Sequence, residues 1–327
     1  MPASPPILFA RLAVSVLAAA TSLFLIAGFF GKFHPALDAT SHLRIQSAVF
    51  GVVVALALLI MRRRRLGGFT LLAAALGLAT SVGPQFSFST GAAIAASTSD
   101  PRPAYKLLQL NLLYNNSTPE KVLSLIGEYR PDVITVEEVS GLWVDKLGLI
   151  AAAYPYRLLC RSVAIISRRP FDETREKRCE AGQRFASAAI DFGGRTVGIA
   201  VVHLRWPWPY SQAAHLDRLA PALRSLGPVA LLGGDFNAAT WSATMQRIAN
   251  ETDMMIAGDI GATWLSRRLP RTLRAAGLPL DHVLAKGLEI RRTRLLHDIG
   301  SDHWPLLVEF SFSDDDERLP TAVAMAQ

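Results

Sequence analysis

Cysteine is scarce: 327 residues contain two, Cys160 and Cys179. That excludes a small module held together by several disulfides. With no His pair beside either cysteine, it also excludes a structural zinc site. Charge is scarce too. Asp, Glu, Lys and Arg make up 19% of the chain against 50% hydrophobic residues, the reverse of a disordered composition. Acidic residues nearly vanish from the first hundred positions, which hold two of them and seven basic ones. The rest holds 25 acidic and 27 basic residues, a near balance that gives little support to a domain binding nucleic acid through bulk charge. No repeat with a solenoid period is present.

The first hundred residues are instead rich in apolar runs. Ile7–Gly31 carries only Arg11, Leu43–Met61 carries only Arg44, and Leu66–Gly83 is uncharged. About 20 apolar residues span the hydrocarbon core as a helix, so residues 1–83 are predicted to form a transmembrane anchor of about three helices. Two spans, or a cleaved signal sequence in place of the first, are the alternatives. Four arginines, Arg62–Arg65, separate the second and third runs, and short basic loops stay cytoplasmic. Three spans then place the loop 32–42 and everything after residue 83 outside the cytoplasm, which for a bacterial-type inner membrane is the periplasm. Residues 84–103 are small, polar and bounded by proline, and read as a linker. Residues 313–327 read as a flexible tail.

From about residue 104 to 312 the pattern alternates. Apolar or β-branched strands are predicted at Lys106–Leu113, Asp132–Val136, Ser162–Ser167, Arg195–His203, Val229–Leu232, Val283–Ala285 and Leu306–Phe310. Helical spacing is present at Pro119–Tyr129 and Gln212–Leu226. Such a mixture implies an α/β domain.

Polar residues stand where these strands stop: Asn111, Glu137 and Glu138, His203, Asp235 and Asn237, Asp281 and His282, Asp302 and His303. Any one of them is explained by turn or cap formation. Strand ends on one edge of a sheet converge in space, however, and this set of carboxylates, amides and imidazoles suits a hard divalent cation such as Mg²⁺ or Mn²⁺.

The blocks QLN (109–111), PDVITVEEV (131–139), VVHL (201–204), GGDFNA (233–238), LDHV (280–283) and SDH (301–303) together resemble the endonuclease/exonuclease/phosphatase superfamily, the DNase-I-like fold, over about residues 105–312. The resemblance implies a four-layer α/β sandwich of two packed mixed sheets with the site at their shared edge. It implies Glu138, Asn111 and Asp302 as metal-site residues, with Glu137 standing where the family usually has Gln. Asp235 and Asn237 then position and activate the attacking water and hold the phosphate. Asp281 orients His303, His203 hydrogen-bonds the phosphate, and His282 supports from behind. Such a site hydrolyses a phosphoester, of nucleic acid or of a lipid headgroup, with Mg²⁺ or Mn²⁺, while the N-terminal helices meet membrane lipid. The alternative is an inactive, membrane-tethered binding module, whose sign would be a lost acidic or His position; none is lost.

Three features lie outside these blocks. Arg205, Trp206 and Trp208 follow His203, where the aromatics suit core packing, base stacking or lipid headgroups. Arg267, Arg268, Arg271 and Arg274 form either a phosphate-contacting or a solvated basic face. Cys160 and Cys179 are read as a disulfide if the domain is outside the cytoplasm, and as buried thiols otherwise.

Overall fold

The computed structural model describes residues 5–92, 103–258 and 261–313. Four helices come first: α1 (Pro5–Ala27), α2 (Pro35–Ser41), α3 (Arg44–Ile60) and α4 (Arg64–Ala92). Helix α1 runs on through a 3₁₀ turn, and the 26 residues Pro5–Phe30, whose most apolar 18-residue stretch has mean hydropathy 2.2, are long and apolar enough to cross a membrane. Among the described residues this is the one helix that meets the requirement alone. The second expected span is a 17-residue helix, which reaches the requirement only together with α2, across a 66° bend. Helix α4 extends to Ala92 and so takes up the first half of the expected linker. Residues 93–102 and the tail beyond 313 lie outside the described residues.

Small residues let α1, α3 and α4 approach closely. Leu25, Ala48, Ala73 and Ala74 form one buried cluster, and Ala18, Val54 and Leu58 another. The outer faces are apolar as well, with Phe9, Leu12, Val16, Val53, Ile60, Leu72 and Leu76 exposed. Contiguous apolar surface of that kind marks a protein or membrane contact.

The remaining residues form two six-stranded sheets. The first contains β1 (Tyr105–Asn111), β2 (Val133–Glu137), β3 (Tyr156–Cys160), β4 (Val163–Ser167), β11 (Leu288–Leu295) and β12 (Leu306–Phe312), ordered β11-β12-β1-β2-β4-β3. The second contains β5 (Arg178–Glu180), β6 (Phe185–Asp191), β7 (Thr196–His203), β8 (Ala230–Asp235), β9 (Met255–Ile256) and β10 (Asp281–Lys286), ordered β5-β6-β7-β8-β10-β9. Alternate residues point to opposite faces. Leu107, Val133, Ile165, Ile199, Leu231 and Val308 therefore fill the space between the sheets. The neighbours Leu108, Ile134 and Ile166 face outward under α5 (Pro119–Tyr129) and α6 (Gly141–Gly148), which cover them with Val122, Leu125, Trp143 and Leu147. Helices α7 (Gln212–Arg224) and α8 (Ala243–Thr252) cover the second sheet with Leu216, Leu219, Met245 and Ile248. The layers are helices, sheet, sheet, helices, the expected four-layer sandwich. A disulfide joins Cys160 of β3 to Cys179 of β5, one from each sheet.

Each sheet is built around one parallel pair with a helical crossover, β1–α5–β2 and β7–α7–β8. Parallel strands end on the same side. The register places Asn111 opposite Glu137 in the first sheet and His203 opposite Asp235 in the second. Antiparallel β10 begins where β8 ends, with Asp281 opposite Asp235. Topology alone thus gathers the strand-end polar residues on one edge.

The helical bundle grips the sandwich through the loop containing α2. Asp38 accepts hydrogen bonds from the Ala243 and Thr244 N–H groups at 2.7 and 3.0 Å, at the start of α8. Orphan N–H groups at a helix N-terminus favour such a carboxylate. His42 Nδ1 accepts from Ala239 N–H at 3.1 Å, and Trp241 Nε1 donates to Ser41 O at 2.7 Å. Burial pushes the His42 imidazole down to about 4, which keeps the ring neutral and able to accept. The loop containing α2 is therefore bonded to the segment that leads from Asp235 into α8.

Candidate active site

The edge where the parallel pairs end holds a compact polar cluster. Asn111, at the end of β1, donates from Nδ2 to Glu138 Oε1 and to Asp235 Oδ2, both at 3.2 Å. Its Oδ1 accepts from Leu113 N–H at 3.0 Å. One amide therefore ties the first sheet to the second. The sheets approach closely here because Gly233 lacks a side chain: a Cβ there would lie 2.7 Å from Thr135 Oγ1 and 3.2 Å from Gln109 Cγ.

Glu137 and Glu138 are adjacent but occupy different surroundings. Glu137 is fully buried and accepts from Gln109 Nε2 at 2.9 Å. Burial, with Asp281 and Asp235 nearby, holds its carboxyl well above the usual range. The backbone turns into the left-handed region at Glu138 (φ 59°), which swings that carboxylate towards the cleft, where Tyr114 N–H donates to Oε2 at 3.0 Å.

Asp235 is oriented from its own loop. Asn237 N–H donates to Asp235 Oδ1 at 2.9 Å. Asn237 is itself left-handed (φ 47°), and its Nδ2 donates to Leu204 O at 2.9 Å. Its buried Oδ1 has no protein partner. Asp281 accepts from His303 Nδ1 at 2.7 Å, and both are buried. His303 Nε2 and His203 Nε2 lie 3.8 and 3.5 Å from Asp235 Oδ2. Asp302 accepts from the Trp264 indole N–H at 3.2 Å. His282 turns away and contacts Ala238 O at 2.8 Å.

The two catalytic candidates among the histidines differ in charge. Burial alone would favour a neutral His303, but the Asp281 and Asp235 carboxylates outweigh it and raise the imidazole to about 10. His203 goes the other way, to about 3, through burial and the positive charges of Arg184 and His303. At neutral pH the site thus offers one imidazolium and one neutral imidazole. Burial pushes the Asp235 carboxyl up to about 7, with Asp281 adding to it and His303 opposing.

The donor set fits a hard divalent cation. Asn237 Oδ1, Asp281 Oδ1 and Asp302 Oδ1 are buried oxygens without a protein partner. An unsatisfied buried acceptor costs about 1–3 kcal/mol, and oxygen ligands are what Mg²⁺ and Mn²⁺ take. Asp235, Asp281 and His303 place one ligand atom each within 4.8 Å of one another. Of these, His303 is occupied at Nδ1 and protonated, which makes it a hydrogen-bond donor and leaves the carboxylates as ligands.

All eight expected residues, Asn111, Glu138, His203, Asp235, Asn237, Asp281, Asp302 and His303, lie on this edge. The sequence did not point to the groups that hold them. Gln212 Nε2 donates to the carbonyls of Arg205, Phe236 and Asn237 at 2.9–3.1 Å, fixing the loops after His203 and Asp235. Thr263 Oγ1 receives Asp281 N–H at 2.9 Å, and Ser301 Oγ receives His303 N–H at 3.1 Å while donating to Asn111 O at 2.8 Å. Ser301 opens the SDH block, which was the available signal for it. Gln212 and Thr263 carry no such signal.

A family model described as "Endonuclease/Exonuclease/phosphatase family" matches residues 108–303. Among solved structures, the chain is similar to the endonuclease/exonuclease/phosphatase from Bacteroides vulgatus, with TM-score 0.56 and 13% identity over 65% of this chain and 100% of that one. It is also similar to humanized D. rerio TDP2, with TM-score 0.53 and 16% identity over 64% of this chain and 99% of that one. At those identities the likeness concerns the fold. A UPF0294 protein of Vibrio vulnificus is 36% identical over 124 residues, which is 36% of this chain and 40% of that protein. A UPF0294 protein of Yersinia pestis is 42% identical over 84 residues, 26% of this chain and 30% of that protein. The matches thus span well under half the length of these curated relatives.

Proposed function

Since the chain belongs to the endonuclease/exonuclease/phosphatase family, we propose that it is a membrane-anchored, divalent-cation-dependent phosphodiester hydrolase. The observation that carries this reading is the charge of the cleft. Glu138, Asp235, Asp281 and Asp302 meet on one edge with a single imidazolium, His303. Such a site repels a phosphodiester unless a cation is held there, and it is built of oxygen donors that hold one.

Glu138 and Asp302, with Asp235 beside Glu138, would hold the cation, which when bound neutralises a phosphoryl oxygen and stabilises developing charge, while Asn111 Nδ2 donates to Glu138 and Asp235 and orients both carboxylates. Asp235, fixed by Asn237 N–H and Asn111 Nδ2, accepts a proton from water and holds that water in line with the departing ester oxygen. His303 donates from Nε2 to the phosphoryl group, and Asp281 keeps it protonated and aimed. Neutral His203 contributes a second hydrogen bond. Water adds its oxygen to phosphorus, one P–O ester bond breaks, and the departing oxygen takes a proton, giving a phosphomonoester and an alcohol.

The proposed topology has α1, α3 and α4 crossing the bilayer. Helix α3 meets the catalytic domain at its Gln46 end. Arg62–Arg65 follow its other end, about 24 Å away at 1.5 Å per residue. Basic loops stay inside, so the catalytic domain lies outside the cytoplasm, a setting in which the Cys160–Cys179 disulfide persists.

The test uses the full chain in detergent with bis-(p-nitrophenyl) phosphate. Hydrolysis with Mg²⁺ or Mn²⁺, abolished by EDTA and restored by the metal, is expected. Metal-independent hydrolysis, or none with any divalent ion, rejects the reading. A reporter fused after Gln327 should be active only outside the cytoplasm; cytoplasmic activity rejects the topology.

A further inference from the structure

We infer that the substrate is a phospholipid of the same bilayer that holds the anchor, its headgroup phosphodiester entering the cleft from the membrane surface. The inference rests on the phosphoesterase reading above and names its substrate class. It starts from Gln46, in the first turn of α3, whose Nε2 donates to Ala276 O at 3.1 Å and Gly277 O at 2.8 Å. Directly beyond Gln46 the helix presents exposed Val49, Phe50 and Val53. The segment 264–277 is thereby pinned at the level where the apolar helix begins.

The other end of that segment is at the cleft. Trp264 donates to Asp302 and pairs with His303 across an isolated bridge. Between these two attachments the chain exposes Leu269 and Leu273 and carries Arg267, Arg268 and Arg274, while Arg271 is held by Asp298, Ser301 O and the Trp304 ring. The loop after His203 adds to the same surface. Trp206 packs edge-on against Trp264, with ring centres 5.6 Å apart, and leads to exposed Trp208 and Tyr210.

Aromatic rings and arginines beside apolar side chains are what the water–lipid boundary selects. A nucleic-acid track has use for the rings and arginines but none for exposed Leu269 and Leu273. Binding nucleic acid also rewards many cationic contacts, whereas the chain after residue 100 holds 27 basic against 25 acidic residues. One segment thus joins the Gln46 contact to the cleft at His303, and on this reading a headgroup at the bilayer surface reaches the site without leaving the membrane.

The test reconstitutes the full chain with Mg²⁺ in vesicles of phosphatidylethanolamine and phosphatidylglycerol. It follows phosphomonoester formation from the lipid, cleavage of an added single-stranded DNA oligomer, and hydrolysis of bis-(p-nitrophenyl) phosphate. Lipid cleavage in preference to DNA is expected. In the double variant Trp208→Ser, Leu273→Ser the ratio of lipid to soluble-ester turnover should fall about tenfold or more. The conservative pair Trp208→Phe, Leu273→Met should restore it, which separates loss of membrane contact from loss of folding. Intact lipid with cleaved DNA or soluble ester, or an unchanged ratio in the Ser pair, overturns the lipid assignment while leaving the phosphoesterase standing. Failure to cleave any of the three removes both.

Discussion

Replacing Asp281 by Asn should change the pH dependence of hydrolysis as well as its rate. In the structure His303 Nδ1 lies 2.7 Å from Asp281 Oδ2, and both side chains are buried. Burial favours the neutral imidazole, so the rise to about 10 is carried by the two carboxylates, Asp281 before Asp235. An opposite charge at that distance is worth about 1–3 pH units to an ionisable group. Asn keeps the shape and removes the charge. The proton donor then deprotonates earlier, and the alkaline limb of kcat/KM should move down by about 1–3 units from its position in the unsubstituted protein. The acid limb belongs to Asp235, which must be ionised to accept a proton. It is raised to about 7 without a cation, and bound positive charge moves it lower. The sign is definite: activity is gained as pH rises through the Asp235 value and lost as it rises through the His303 value. The pH-independent rate should also drop by about 10²–10⁴. The assay is hydrolysis of bis-(p-nitrophenyl) phosphate by the full chain between pH 5 and 11 at saturating Mg²⁺. An alkaline limb that stays in place in Asp281→Asn would refute the assignment of His303 as the donor and of Asp281 as the group that keeps it charged.

Asp235→Asn and His303→Ala should each lower kcat by about 10²–10⁴ with far-ultraviolet circular dichroism unchanged; wild-type-like rates would remove them from the mechanism. Asp38→Ala removes the carboxylate that receives Ala243 and Thr244 N–H, and should cost about 1–3 kcal/mol of stability, read as a lower melting temperature of the full chain in detergent. Activity should fall as well, because the same loop holds Ala239 through His42. Gly233→Ala forces a methyl to within 2.7 Å of Thr135 Oγ1 and should destabilise by about 1–3 kcal/mol; an unaffected melting curve would show that the sheets can part there at little cost.

The site was legible because the sequence marks each strand end that carries chemistry. A buried strand is a run of apolar residues, and a carboxylate or imidazole at its end stands out, as Asp235 does after VALLGG and His303 before the last strand. Parallel pairing then brings those ends together. Other strands were not legible. Strand β11, LEIRRTRL, is an edge strand rich in arginine, as edges that avoid aggregation are, and that masks its period. Strand β6, FASAAID, contains three alanines, poor β formers. Least legible was the joint between the helical bundle and the sandwich. Asp38 and Ala243 are 205 positions apart, and nothing in the composition of either segment announces the other. The bonds from Asp38, His42 and Gln46 make the two parts one body around the loop that carries Asp235 and Asn237.

The central claim is that the acidic strand ends form one cleft that holds a divalent cation for phosphoester chemistry. Electron paramagnetic resonance of Mn²⁺ titrated into the full chain tests it without relying on any substrate. Saturable binding that is displaced by Mg²⁺, and that is weakened together in Glu138→Gln and in Asp235→Asn, is the expected result. Absent binding, or binding indifferent to both substitutions, would contradict it.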